Sequence, residues 1–186
     1  MVPSIQWLGR VSRHGLVVAL LAAIAWTGWR WEGQRVLPLH SPAISRPVVT
    51  VTLYFPARSG DLLLPEVRQI DAERSSPGDI VRELLKGPSP GLPLVNPFPP
   101  GTRLLDWDLE PDGTLVVDFS REIVTRHWGG TAGELATVYS LVNTLTSRSG
   151  VRAVLIKVEG QPVDTLAGHL DLRYPLTFAA ELVAGG

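Results

Sequence analysis

Six prolines fall within residues 88–101 (Pro88, Pro90, Pro93, Pro97, Pro99 and Pro100). No helix or central strand can run through such a segment, because proline lacks the donor that either element needs. It is therefore expected to be a stiff surface loop, and it divides the regular structure of the chain in two. In the first half, residues 48–55 (VVTVTLYF) are dense in β-branched and aromatic side chains and predict a buried strand. Pro56 and Ser59-Gly60 turn the chain, and residues 62–70 suggest a less regular hairpin around Pro65. Ser76-Pro77-Gly78-Asp79 predicts a helix start, with a serine cap, proline at the first position and a carboxylate in the first turn. Ile80, Val81, Leu84 and Leu85 then form one apolar face, which Gly87 and Pro88 terminate.

In the second half, residues 104–109 and 114–119 flank Glu110-Pro111-Asp112-Gly113, and Asp-Gly between two β-rich runs predicts a hairpin. Residues 120–128 fit either a short helix or a loop. Thr131 and Glu134 have the spacing of a capping box, opening the longest helix. Leu135, Val138, Leu141, Val142 and Leu145 follow at helical spacing, so Leu141 and Leu145 are expected in the core. Residues 151–158 predict a further strand, Glu159-Gly160-Gln161-Pro162 a turn, and a last segment runs to about Phe178. This order implies an α+β fold: a mixed sheet of about four to six strands with two helices packed on one face.

Arg10, Arg13 and His14 precede the uncharged residues 15–29, and Arg30 closes that run. A basic start followed by an apolar stretch engages the export machinery, so the rest of the chain is expected outside the cytoplasm. Residues 1–31 read as a signal-anchor (transmembrane) helix or a signal peptide. Trp26, Trp29 and Trp31 at the outer end favour a retained anchor, and Ala23-Ile24-Ala25 matches a cleavage pattern. The expected location is thus the cytoplasmic membrane, single-pass with the domain outside, or secreted if the leader is cleaved. Residues 32–47 form a proline-containing linker, residues 48–178 the α+β domain and residues 179–186 a tail. The chain carries net charge −1, with +3 in residues 1–40 and −4 in residues 41–186. The domain therefore has no electrostatic footprint for nucleic acid. Cysteine is absent, which removes thiolate zinc sites and lipid attachment at an N-terminal cysteine.

Candidate chemistry is sparse. His127, beside Trp128, and His169, before Asp171, are the histidines of the domain, and neither has a second histidine at metal-ligand spacing. Both read as structural. Asp106, Asp108, Glu110, Asp112 and Asp118 surround the hairpin, where a calcium site or a carboxylate pair competes with a simply solvated face. The alternation favours the solvated face. Ser120 follows a strand without the glycines of a nucleophile elbow. Asn143, Thr144 and Thr146 lie in an apolar helix, where they hold either a ligand or neighbouring backbone, and backbone is the commoner role.

Several short pieces, in order, resemble the GerMN domain of sporulation and spore germination proteins. They are Leu53-Tyr54-Phe55, Leu64-Pro65-Glu66-Val67-Arg68, Leu84-Leu85-Lys86-Gly87-Pro88, Pro100-Gly101-Thr102, Leu115-Val116-Val117-Asp118-Phe119-Ser120, Leu141-Val142-Asn143-Thr144-Leu145-Thr146, Val158-Glu159-Gly160 and Gly168-His169-Leu170-Asp171-Leu172. The resemblance covers about residues 48–176. It implies an exported or membrane-linked protein without catalytic, cofactor-binding or metal residues, and no cofactor. It further implies assembly with envelope or sporulation proteins, itself included, outside the cytoplasmic membrane. The alternative is a carbohydrate- or peptidoglycan-binding module tethered near the wall, with Trp107 and Trp128 as its aromatic contacts.

Overall fold

The structure is a computed structural model that describes residues 46–58 and 62–185. The expected leader, nearly all of the linker and the Ser59-Gly60 turn lie outside the described residues. Among those described, no helix is long and apolar enough to cross a membrane.

Strand β1 (Val48–Pro56) pairs antiparallel with β2 (Leu63–Asp71) along its whole length, as a separate two-stranded sheet. Val51, Leu53 and Phe55 alternate into the core. Pro65 does not break β2 into a smaller hairpin, contrary to expectation. Its partner Tyr54 turns its N–H away from β2, donating it to Thr144 Oγ1 at 2.9 Å. That register position asks Pro65 for no donor, so the strand runs through it. Helix α1 (Pro77–Leu85) begins as the sequence predicts. Ser76 Oγ accepts the Asp79 N–H at 3.2 Å, while the Asp79 carboxylate accepts the Ser76 N–H at 3.3 Å. It buries Gly78, Ile80, Val81 and Leu84. Gly78 lies against the Trp107 indole so closely that a Cβ there would collide with it.

The second sheet has the order β3–β4–β5–β6. Strands β3 (Leu104–Leu109) and β4 (Thr114–Phe119) form the expected hairpin. Glu110 N–H donates to Thr114 O at 2.9 Å, and Gly113 takes a φ of 90° that a side chain would resist. Strand β5 (Ala153–Val158) lies parallel to β4, so the chain between them must cross over. It does so through a short helix α2 (Glu122–Thr125) and the long α3 (Thr131–Thr146). β6 is only Gln161–Pro162.

Two expectations are corrected here. The expected mixed sheet is present with four strands, β3–β6, but β1 and β2 do not join it, and α3 packs on both β1 and β5. Its Thr144 takes the Tyr54 N–H that a neighbouring strand would otherwise receive. Nor do Thr131 and Glu134 form a capping box. The cap position is Gly130, at φ 80°, with no side-chain bond, and Glu134 is wholly buried with partners more than thirty residues away. Beyond β6 the chain is irregular, tied back by Leu172 N–H to Asp164 O at 2.8 Å and by reciprocal 2.8 Å bonds between Leu176 and Val154. The core of both sheets is mainly apolar, with Leu53, Phe55, Leu84, Leu115, Phe119, Leu141 and Leu145 among its fully enclosed members. Each contributes about 1.5–3 kcal/mol by leaving water.

Candidate functional site

The polar residues singled out in the sequence fall into three places. Asp106, Asp108 and Asp118 share the outer face of the β3–β4–β5 sheet, with Asp106 paired to Asp118 and Asp118 to Lys157 across the strands. Asp118 accepts the Gly160 N–H with both oxygens at 2.9 Å, and Asp112 Oδ1 accepts the Thr114 N–H at 2.8 Å within the turn. Among the described residues no three His, Asp or Glu side chains are grouped to hold a metal ion. The carboxylates are spread along a half-solvated face.

Ser120, buried, accepts the Arg103 N–H at 3.0 Å. His169 has an exposed side chain, and its backbone N–H does the structural work. Asp171 pairs with Arg173 rather than with His169, and those hydrogen bonds hold its carboxyl at about 2.

The second place is α3. Asn143 exchanges two hydrogen bonds with the backbone of Ala179, Nδ2 donating at 3.0 Å and Oδ1 accepting at 2.9 Å. Thr144 holds β1 through Tyr54, and Thr146 bonds its own helix at Val142 O, 2.6 Å. These side chains grip backbone, the commoner of the two roles. Glu134, which the sequence offers only as part of a cap, belongs to this set. Its Oε1 accepts the N–H groups of Leu166 (2.7 Å) and Ala167 (2.9 Å), and its Oε2 those of His169 (2.8 Å) and Leu170 (3.3 Å). Burial alone would raise its pKa, but these four N–H bonds outweigh it and hold the carboxyl below its ordinary value. An equivalent anchor sits at Glu66, also buried. It accepts from Arg68, from Ser89 Oγ at 2.7 Å and from Ser89 N–H at 3.0 Å. Arg68 in turn donates to Glu83 O in the last turn of α1 and to Gly87 O just beyond its end. Only tertiary pairing reveals either glutamate, since a buried acid looks like a surface acid in sequence.

The third place brings together two features the sequence offered separately: the proline-rich segment and Trp128. The segment is a built loop. Val95 N–H donates to Pro56 O at 3.0 Å, Arg58 N–H to Pro93 O at 2.9 Å, and Leu94 and Phe98 are buried. Trp128 stands 55% exposed beside it, resting over Gly133 in the first turn of α3. A groove of about 490 Å³ runs between them, lined by Pro56, Val95, Asn96, Pro97, Trp128, Ala132, Gly133 and Ala136.

His127 sets the geometry. Gly129 N–H donates to its Nδ1 at 3.0 Å, which places the ring proton on Nε2, directed at Thr137 Oγ1 at 3.1 Å. Thr137 Oγ1 donates onward to Pro97 O at 2.7 Å. The relay fixes the Trp128 turn, α3 and the proline loop to one another. Burial pushes the His127 pKa down, against a weaker upward pull from Glu134, and so favours this neutral form. Asn96 is the polar side chain of the groove, and both its ends are engaged. Oδ1 accepts the Phe98 N–H at 3.0 Å and Nδ2 donates to Leu85 O at 3.4 Å. The groove thus offers mainly apolar contact, with the Trp128 indole N–H and the second Asn96 amide hydrogen as its remaining side-chain donors. Trp107 lies elsewhere, between β3 and α1, half-buried on Gly78.

A family model described as sporulation and spore germination (Germane) matches residues 52–164. Among solved structures, the tandem GerMN domains of the sporulation protein GerM from Bacillus subtilis align at TM-score 0.60 and 24% identity, covering 74% of this chain and 48% of that one. The chain thus spans about half the length of that tandem structure. The first GerMN domain of GerM alone aligns at TM-score 0.58 and 20% identity, covering 72% of this chain and 98% of that one. A putative lipoprotein from Clostridium perfringens aligns at 0.51 and 24%, covering 70% and 87%. At these identities the likeness is one of fold. No curated protein matches the chain.

Proposed function

The chain belongs to the sporulation and spore germination family, Germane, and on that premise we propose that it is a non-catalytic assembly protein of the cell envelope. In this reading the domain works outside the cytoplasmic membrane, with residues 1–31 as its tether, and binds an envelope or sporulation protein. The observation that carries the reading is the groove at Trp128. Its walls are largely apolar, its aromatic anchor is exposed, and its Asn96 amide is engaged internally at both ends. A sugar needs several directed hydrogen bonds as well as an aromatic platform, and such a groove has few polar side-chain groups to make them. An apolar segment of a protein needs only the walls and the indole, the residue type that most often dominates interfaces. The rigid proline loop adds to this, because it loses little freedom on binding.

The test compares the full chain with Trp128→Ala and Val95→Asp in cells induced to sporulate. Site-directed crosslinking from Ala132 should give a discrete protein adduct, which both substitutions reduce about tenfold or more, as loss of a central aromatic contact does. Circular dichroism should be unchanged, since both side chains are exposed. Sedimentation with purified peptidoglycan, abolished by Trp128→Ala while the protein adduct persists, would replace this reading with wall binding.

A further inference from the structure

Exposed strand edges invite pairing with other chains, and folds commonly blunt them. This domain blunts its edges in several ways. On β2 the tail occupies Leu63, whose carbonyl accepts the Ala184 N–H at 2.9 Å, and Pro65 has no donor to offer. On β3 the register shifts between Leu104 and Asp106, and Asp106 Oδ1 accepts the outward-facing Trp107 N–H at 2.9 Å. β6 is two residues long and ends in Pro162, and past it Leu176 pairs with Val154. The end of β1 is closed too: Tyr54 N–H goes to Thr144, and Pro56 O accepts the Val95 N–H.

The start of β1 is open, as are the outward groups of Val67 and Gln69 in the middle of β2. The alternation that points Tyr54 N–H away from β2 also points the N–H and C=O groups of Val48, Thr50 and Thr52 away from it. Among the described residues nothing pairs with them. Beside them lies a trough of about 300 Å³, with Thr50 and Thr52 on one side and Thr144, Ser147, Arg148 and Ser149 on the other. This edge is thus open and also has a second wall facing it. Arg148 is the one cation of that lining, which contains no carboxylate.

We propose that β1 accepts an extended segment of a partner protein as an added strand, paired to Val48, Thr50 and Thr52 and seated in this trough. Backbone hydrogen bonds supply the affinity and the facing wall supplies the selectivity, as in other cases of strand addition. The edge takes about five residues at ~3.3 Å each before Thr144 closes it. Side chains facing the hydroxyl wall must be small and polar, with an acidic residue favoured near Arg148. The inference stands whether or not a partner fills the groove at Trp128.

A random heptapeptide library selected on the full chain tests it, with amide hydrogen exchange as the readout. Recovered peptides should slow exchange at Val48, Thr50 and Thr52 at least tenfold. Thr50→Pro removes one outward donor, at a position type the hairpin already tolerates at Pro65, and should weaken binding about tenfold. Unchanged protection of Leu53 and Phe55 would show that the hairpin survives. Ser147→Arg, which fills the trough from an exposed position, should weaken binding without touching β1, and Trp128→Ala should leave it unchanged. Four results overturn the proposal. They are no peptide recovered, protection falling elsewhere, protection already present in the dilute free chain, and protection that grows with protein concentration. The third would assign the edge to the chain's own N-terminal residues and the fourth to a second copy.

Discussion

Helix α1 turns Ile80, Val81 and Leu84 to the core and keeps Arg82 and Lys86 in water, whereas α3 is buried on almost every side from Thr137 to Leu145. The first is held by one apolar face, a local cap at its start, and Arg68 and Asn96 at its end. The second carries Glu134, Thr137, Asn143 and Thr144 into the interior, and each takes hold of a different segment. A helix packed by one sheet needs only a stripe. A helix crossed by loops and by two sheets meets irregular backbone whose N–H and C=O groups also need partners, and buried polar side chains supply them.

The strongest way to break this comparison is Glu134→Ala, which leaves four N–H groups without their acceptor in a fully enclosed site. A loss of about 3–5 kcal/mol is expected, as for other uncompensated buried partners, measured by chemical denaturation near neutral pH. Because the folded carboxyl lies below its ordinary value of 4.5, its contribution is fully present above that value. It fades as pH falls through the folded pKa. The gap between wild type and variant should therefore narrow in acid. A gap independent of pH would mean that the carboxylate charge is not what holds residues 166–170.

On α1 the corresponding change is Ser76→Ala, which removes a cap rather than a tether. It should cost about 1 kcal/mol. A cost matching that of Glu134→Ala would erase the distinction between the two helices. Ser140 sharpens the comparison from the other side. It is wholly buried on α3, and its Oγ has no partner among the described residues. If tethering is what justifies polarity inside α3, Ser140→Ala should leave the denaturation midpoint unchanged or raise it slightly.

The same contrast explains how far the residues could be read in advance. The Ser76–Asp79 box, the Asp112-Gly113 hairpin and the apolar run of β1 follow from neighbours in sequence, and each was legible. Thr131 and Glu134 had equally good local spacing, yet the glutamate was claimed by residues 166–170 and Gly130 took the cap. The division into two sheets was hidden for a related reason. Strand patterns state which residues alternate but not which edge meets which, and here Thr144 occupies the edge position. Trp128 and the proline loop were each visible, and only the His127–Thr137–Pro97 relay brings them together.

The tethers of α3 also bear on the order in which the domain assembles. They close separations of 90 residues to Tyr54, 40 to Pro97 and 36 to Ala179. Contacts so remote are late rewards, because the entropy of gathering the segments is lost before any bond forms. A chain emerging from its N-terminus presents β1, β2 and α1 long before the helix that covers them, and then that helix before Ala179. The hairpin and α1 must wait with their apolar sides incompletely covered, and the domain closes only when nearly the whole chain is available.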